Sequence, residues 1–98
     1  MTKQEQRAII LDRLAELKER TEDWAYYGYF NAYYLYTAIY KAFEVKTCYG
    51  VEHGSWGTCY LPTSEQRRKA NLTYEHLAEQ GYIKLSRNKG CFEILKTK

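Results

Sequence analysis

Residues 63–96 read TSEQRRKANLTYEHLAEQGYIKLSRNKGCFEILK. The segment opens as a basic amphipathic helix and runs into Gln80-Gly81-Tyr82-Ile83. Two short alternating runs follow, 82–86 and 91–95, joined by Arg87-Asn88-Lys89-Gly90. Gly81 stands where a helix must stop, because a left-handed residue there lets orphan carbonyls be satisfied without a Cβ clash. Asn88 and Gly90 supply the turn chemistry that reverses a chain between strands. At the other end, Pro62 with Thr63 or Ser64 opens the helix, the proline preset for a helix start and the hydroxyls for capping. Ala70, Thr73, Tyr74 and Leu77 mark its inner face.

Working outward, Thr2 followed by Glu5 makes a capping box, hydroxyl and carboxylate each satisfying an orphan N–H. Ala8, Leu11, Ala15 and Ile10, Leu14, Leu17 give an apolar stripe that predicts a helix from Lys3 to about Glu19. Residues 24–43 are half aromatic, with Lys41 their only charge. Asn31 is the N-cap expected for a helix over residues 32–42, on which Leu35, Ile39 and Phe43 recur at helical spacing. Gly28 argues against one continuous helix, so residues 24–30 are either a separate helical turn or a short extended piece. So many aromatics predict a central, largely buried element. Residues 45–49 and 57–61 are β-prone and flank a glycine-rich stretch, expected as a loop or irregular hairpin. The order is helix, helix, long connection, helix, hairpin: one α+β domain over residues 1–98, without repeat or linker.

A helix, a glycine stop and a hairpin with a basic tip make residues 63–96 similar to the end of a winged helix-turn-helix domain. The resemblance implies three helices with a C-terminal two-stranded β-hairpin wing. It also implies double-stranded DNA as the partner, the third helix in the major groove and the wing on the flanking backbone. The long insert at 45–61 departs from the tight turn usual between the second and third helices. Carried onto this sequence, the resemblance makes Ser64, Gln66, Arg67, Arg68 and Asn71 the candidate base readers. Arginine suits that work because its planar fork pairs with phosphate, or bidentately with guanine. Arg67, Arg68 and Lys69 are consecutive and cannot all face one way at about 100° per residue, so some meet bases and others phosphates. Arg87, Asn88 and Lys89 at the hairpin tip fit a wing, and Lys84 on the first strand extends the patch. The plainer reading is a solvated helix face, with Glu65 and Glu75 as partners, and a polar turn that merely needs Asn and Gly.

Charge placement agrees with the first reading. The formal net charge is +3, yet residues 1–62 carry 7 Lys/Arg against 8 Asp/Glu while residues 63–98 carry 8 against 4. The basic third is the third expected to meet phosphate. A 45% hydrophobic fraction and a single Pro argue for an ordered globule. No apolar run approaches the roughly 18 residues that a membrane span needs. The charged N-terminus lacks an apolar leader, so the expectation is a cytoplasmic protein of a prokaryotic or viral host cell. Cys48, Cys59 and Cys91 show no C-x-x-C spacing, which fits free thiols in a reducing compartment. Cys48, His53, Cys59 and Cys91 match no common zinc pattern, and no metal or cofactor is expected. The matching contexts Thr47-Cys48-Tyr49 and Thr58-Cys59-Tyr60 suit facing strands of a hairpin instead. His53 has no nucleophile or carboxylate at a meaningful spacing, and the chain is not expected to be an enzyme.

The 11 tyrosines exceed what a core this size can bury with every hydroxyl satisfied. Some must be exposed, and Tyr27, Tyr33, Tyr34, His53 and Trp56 are the candidates for a protein interface. Stacking on unpaired bases is the weaker idea, since cations to hold a single strand are missing nearby. Two functional expectations result. One is a small DNA-binding transcriptional regulator of prokaryotic, viral or mobile-element type, acting as a homodimer. The other is a winged-helix scaffold used for protein binding, in the manner of a phage- or plasmid-type inhibitor or adaptor.

Overall fold

The computed structural model describes residues 2–48 and 59–97. Its elements are α1 (Lys3–Glu19), α2 (Thr21–Trp24), β1 (Phe30–Asn31), α3 (Ala32–Ala42), β2 (Thr47–Cys48), β3 (Cys59–Tyr60), α4 (Ser64–Glu79), β4 (Ile83–Leu85) and β5 (Cys91–Ile94). Three helix starts follow from side-chain caps. Thr2 Oγ1 accepts from Glu5 N–H at 3.1 Å, Asn31 Oδ1 from Tyr33 N–H at 2.9 Å, and Thr63 Oγ1 from Gln66 N–H at 3.1 Å. The Thr2 backbone and hydroxyl hydrogen bonds hold the Glu5 carboxyl below the usual carboxylate range. Each such cap is worth about 1 kcal/mol.

Helices α4 and α3 stop by the same device. Gly81, with φ +84°, donates to Ala78 O and Tyr82 N–H donates to Leu77 O, closing α4 in a Schellman motif. After α3 the left-handed position is filled by Glu44, with φ +56°, and Val45 N–H reaches back to Tyr40 O. Nothing about a glutamate advertises that role in a sequence.

Residues 25–30 take the extended alternative, folded into a reverse turn, and the helical turn lies before them. The helical turn α2 ends at Trp24, and the chain then reverses at Tyr26–Tyr29, where Tyr26 and Tyr29 exchange backbone bonds of 2.8 and 3.0 Å. β1 follows and pairs antiparallel with β5, Phe30 opposite Phe92 and Asn31 opposite Cys91. The C-terminal hairpin is therefore not two-stranded. It is part of a three-stranded sheet in the order β1-β5-β4, because β1 supplies the backbone partners that β5 would otherwise leave open. β2 and β3 form a separate antiparallel pair in which Cys48 is the register partner of Cys59, as the repeated contexts predicted. The three-helix count also grows by one, so the third long helix is α4.

The core gathers Leu14 and Leu17 of α1, Leu35, Ile39 and Ala42 of α3, Ala70, Tyr74 and Leu77 of α4, and Phe30, Ile83 and Phe92 of the sheet. On α1 the buried stripe is Ile10, Leu14 and Leu17, whereas Ala8 and Ala15, read as part of it, face solvent. α3 is central, but its buried residues are Ala32, Leu35, Ala38, Ile39 and Ala42, not its tyrosines. Small and aliphatic side chains let α1 and α4 approach, while the longer phenols spread to the margins with their hydroxyls within reach of water. Arg13 locks α1 to α3, donating to Tyr34 O at 2.9 Å and Thr37 Oγ1 at 3.0 Å. Among the described residues no helix is long and apolar enough to cross a membrane.

Candidate nucleic-acid interface

α4 and the β4–β5 hairpin are tied together at three points. Tyr74, buried on α4, turns its hydroxyl toward Lys89 O at 3.2 Å and Cys91 O at 3.4 Å, so one proton serves two carbonyls of the hairpin. Lys89 Nζ reaches back to Glu75 Oε1 at 2.9 Å. The Tyr74 ring also meets Phe92 edge-on at 6.1 Å. Burial, reinforced by Tyr36 and Cys91, pushes the Tyr74 phenol well above its ordinary range, so it stays a donor. The hairpin tip thus holds a fixed position relative to α4.

The tip is built locally. Asn88 Oδ1 accepts from Gly90 N–H at 2.9 Å, and Ser86 Oγ accepts from Cys91 N–H at 3.0 Å. Lys89, not Gly90, takes the left-handed conformation, with φ +62°. A Cβ at Gly90 would stand 3.2 Å from Asn88 Oδ1, tight enough that the Asn88 side chain would have to shift slightly. Arg87 stands exposed beside this turn.

Of the expected readers, several have other partners. Gln66 Oε1 accepts from Thr63 N–H at 2.8 Å in the capping box, and Asn71 Oδ1 accepts from Tyr36 O–H at 2.6 Å. Lys69 lies 3.5 Å from Glu65, and Asn88 is consumed by its turn. Ser64 is exposed in the first turn of α4, and Lys84 is exposed on β4 opposite Glu93. Arg67, Arg68, Lys84 and Arg87 make no ion pair or side-chain hydrogen bond among the described residues. Arg68 stands seven residues before Glu75, roughly 10 Å up nearly the same face. Arg68 therefore shares a helix face with the Glu75–Lys89 bridge, while Arg67 stands about 100° around the helix from Arg68. The second half of α4 is different: Glu75 and Glu79 point outward there, and His76 lies 3.6 Å from Glu79. Within α4 and the hairpin, the Lys and Arg side chains lie in the first half of the helix, on β4 and at the tip.

The tyrosine candidates separate. Tyr27 and Tyr33 are exposed, at 86% and 46%, while Tyr34 is half-buried and packs on the core. His53 and Trp56 lie outside the described residues. Sequence reasoning missed Tyr26, exposed at 76% and set edge-on to Tyr27 at 4.5 Å. The Tyr26-Tyr27-Gly28-Tyr29 run, three phenols around a glycine, was the available signal. A groove of about 180 Å³ between α1 and α4 is floored by Ile10, Leu11, Phe43 and Leu77 and rimmed by Lys3, Arg7 and His76. Its lining includes no carboxylate, serine or cysteine. No group of His, Cys, Asp and Glu among the described residues could hold a metal ion. Compared with known proteins, the chain matches no family model, no curated protein and no solved structure.

Proposed function

We propose that the protein binds duplex DNA as a winged-helix domain, with the start of α4 in the major groove and the β4–β5 tip on the flanking backbone. One observation carries this reading: Arg67, Arg68 and Arg87 are all exposed and unpaired among the described residues, on two elements braced by the Glu75–Lys89 bridge and the Tyr74 hydroxyl. Elsewhere on α4 the cation Lys69 has a carboxylate beside it. Arginines left free on a rigid frame are what phosphate and guanine recognition needs, because bidentate pairing requires a pre-set fork. The order of elements, with α4 leading straight into the hairpin, supports the same reading.

In this arrangement Lys89 and Asn88 shape the tip, Arg87 meets phosphate, and Arg67 and Arg68 divide base and phosphate contacts between them. Fluorescence anisotropy on duplexes of mixed sequence tests it. About three phosphate contacts give a log–log salt slope of roughly −3. Arg87→Ala weakens every duplex alike and flattens that slope by about one. Arg68→Ala or Arg67→Ala costs about 1–3 kcal/mol at one base position when that residue pairs with guanine. Absence of any duplex affinity at about 50 mM salt, where even non-specific binding is strengthened, ends the proposal.

A further inference from the structure

The turn at Tyr26–Tyr29 is the most exposed aromatic surface among the described residues, and its backbone is strained to present it. Tyr27 has φ +53° and Gly28 φ +84°, the pair of left-handed positions of a two-residue reverse turn. Such turns favour asparagine, aspartate or glycine in the first position, since a Cβ is unfavourable there. A tyrosine is held there with its ring 86% exposed, beside a second ring 76% exposed. Neither hydroxyl has a hydrogen-bond partner among the described residues. Strain and exposure together return nothing to the fold, which directs attention to something outside it.

The surroundings say what that is. Between Thr21 and Tyr40 the chain carries two charges, Glu22 and Asp23, both negative. A third carboxylate comes from β5: Glu93 Oε2 would lie 3.9 Å from a Cβ placed on Gly28. Glu93 is half-buried and has no ion pair or hydrogen bond among the described residues, although Lys84 is its register partner on β4. The register of β1 on β5 runs this turn away from the hairpin tip, where Asn31 meets Cys91, so the patch is separate from Arg87 and its neighbours. Aromatic faces with an unpaired carboxylate at their foot attract cations and repel phosphate.

We infer that the Tyr26–Tyr29 turn, with Glu93, is a docking point for arginine or lysine side chains presented by a protein partner. A nucleic acid is disfavoured by the three carboxylates. A second copy of this chain, offering its own Arg67 and Arg68, would join head to tail; such contacts build open chains unless a ring closes. The inference does not rest on DNA binding, and either can fail alone.

The test follows backbone amide shifts of the full chain on titration with a blocked hexa-arginine peptide, with hexa-lysine and hexa-glutamate as controls. The cationic peptides are expected to move the amides of Tyr26, Tyr27, Gly28 and Glu93, and hexa-glutamate is not. Tyr27→Gly and Glu93→Gln should each weaken that response by roughly threefold or more, while Tyr27→Gly leaves the unfolding midpoint unchanged or higher. Shifts confined to Glu75 and Glu79, or a Tyr27→Gly chain that binds as before, overturn the inference. So does duplex DNA that moves the same amides, and so does self-association that moves them without any peptide.

Discussion

At the tip of the β4–β5 hairpin Lys89 has φ +62°, and at the turn before β1 Tyr27 has φ +53°. Both are non-glycine residues in the left-handed region, where a Cβ costs about 1–2 kcal/mol. Around Lys89 the structure supplies compensation. The Asn88 and Ser86 side chains cap the Gly90 and Cys91 N–H groups and bond to each other, Glu75 takes the ammonium, and the Tyr74 hydroxyl faces the Lys89 carbonyl. Around Tyr27, among the described residues, there are two backbone bonds between Tyr26 and Tyr29 and one edge-on ring contact. The first strain is held by local chemistry that fixes the tip for the charged residues beside it. The second has no such support, and its side chains face outward. A similar left-handed φ therefore marks an internally braced turn in one place and a surface that awaits a partner in the other.

The sharpest way to break this comparison is to remove what the two turns share. Phe92 on β5 is fully buried, stacks on Phe30 of β1 at 5.8 Å and supports Leu85 of β4 in register. Phe92→Ala is expected to cost about 3–5 kcal/mol in denaturant unfolding. Amide exchange should quicken at both turns. A response limited to the hairpin would show that β5 does not hold the Tyr26–Tyr29 turn.

A smaller effect isolates the tip. Tyr74→Phe removes a hydroxyl shared by two hairpin carbonyls and should cost about 0.5–1.5 kcal/mol, with faster exchange at residues 86–91 and none added at residues 26–29. The same phenol predicts an alkaline limit. Its folded pKa is raised above the unfolded value of about 10, so the folded state keeps a proton that the unfolded state loses. Its contribution is full below about pH 10 and falls as pH climbs through the folded value. Tyr36 and Tyr60, both raised chiefly by burial, act in the same direction. Tyrosinate absorbance should therefore rise in two classes, the late one together with unfolding. Tyr74→Phe should shrink the late class.

The smallest expected change compares the turns directly. Tyr27→Gly relieves about 1–2 kcal/mol of left-handed strain, offset by glycine's added unfolded-state freedom of about 0.5–1 kcal/mol. A net gain of about 0.5 kcal/mol is expected. Lys89→Gly gains the same relief but loses a partly exposed ion pair worth about 0–1 kcal/mol, and should come out near zero. The reverse order, with Lys89→Gly the stabilising change, would mean that the braced turn is the more strained of the two.

Local rules were enough to read most of the helices from the sequence. Thr2 with Glu5, Asn31, Thr63 and Gly81 set helix ends where the structure has them, because a cap or a left-handed stop acts within about four residues of its own position. The basic tip and the free arginines of α4 were legible as residue types, since charge does not depend on folding. β1 was not legible. Two residues become a strand only because β5, some sixty positions later, offers them a register, and nothing within Phe30-Asn31 carries that information. The burial pattern of α3 was misread for a related reason: aromatic content measures apolar area, whereas α1 and α4 decide which side of the helix has room. Gln66, Lys69 and Asn88 are taken by partners within four residues, but two other candidates were settled by distant contacts, Tyr36 reaching Asn71 and Glu75 reaching Lys89. The sequence alone determined where helices start and stop and where charge accumulates, because those are short-range or composition-level properties. Tertiary structure decided the third strand, the Lys89–Glu75 pair and the Tyr36–Asn71 bond, because each needs two segments far apart in the chain to meet.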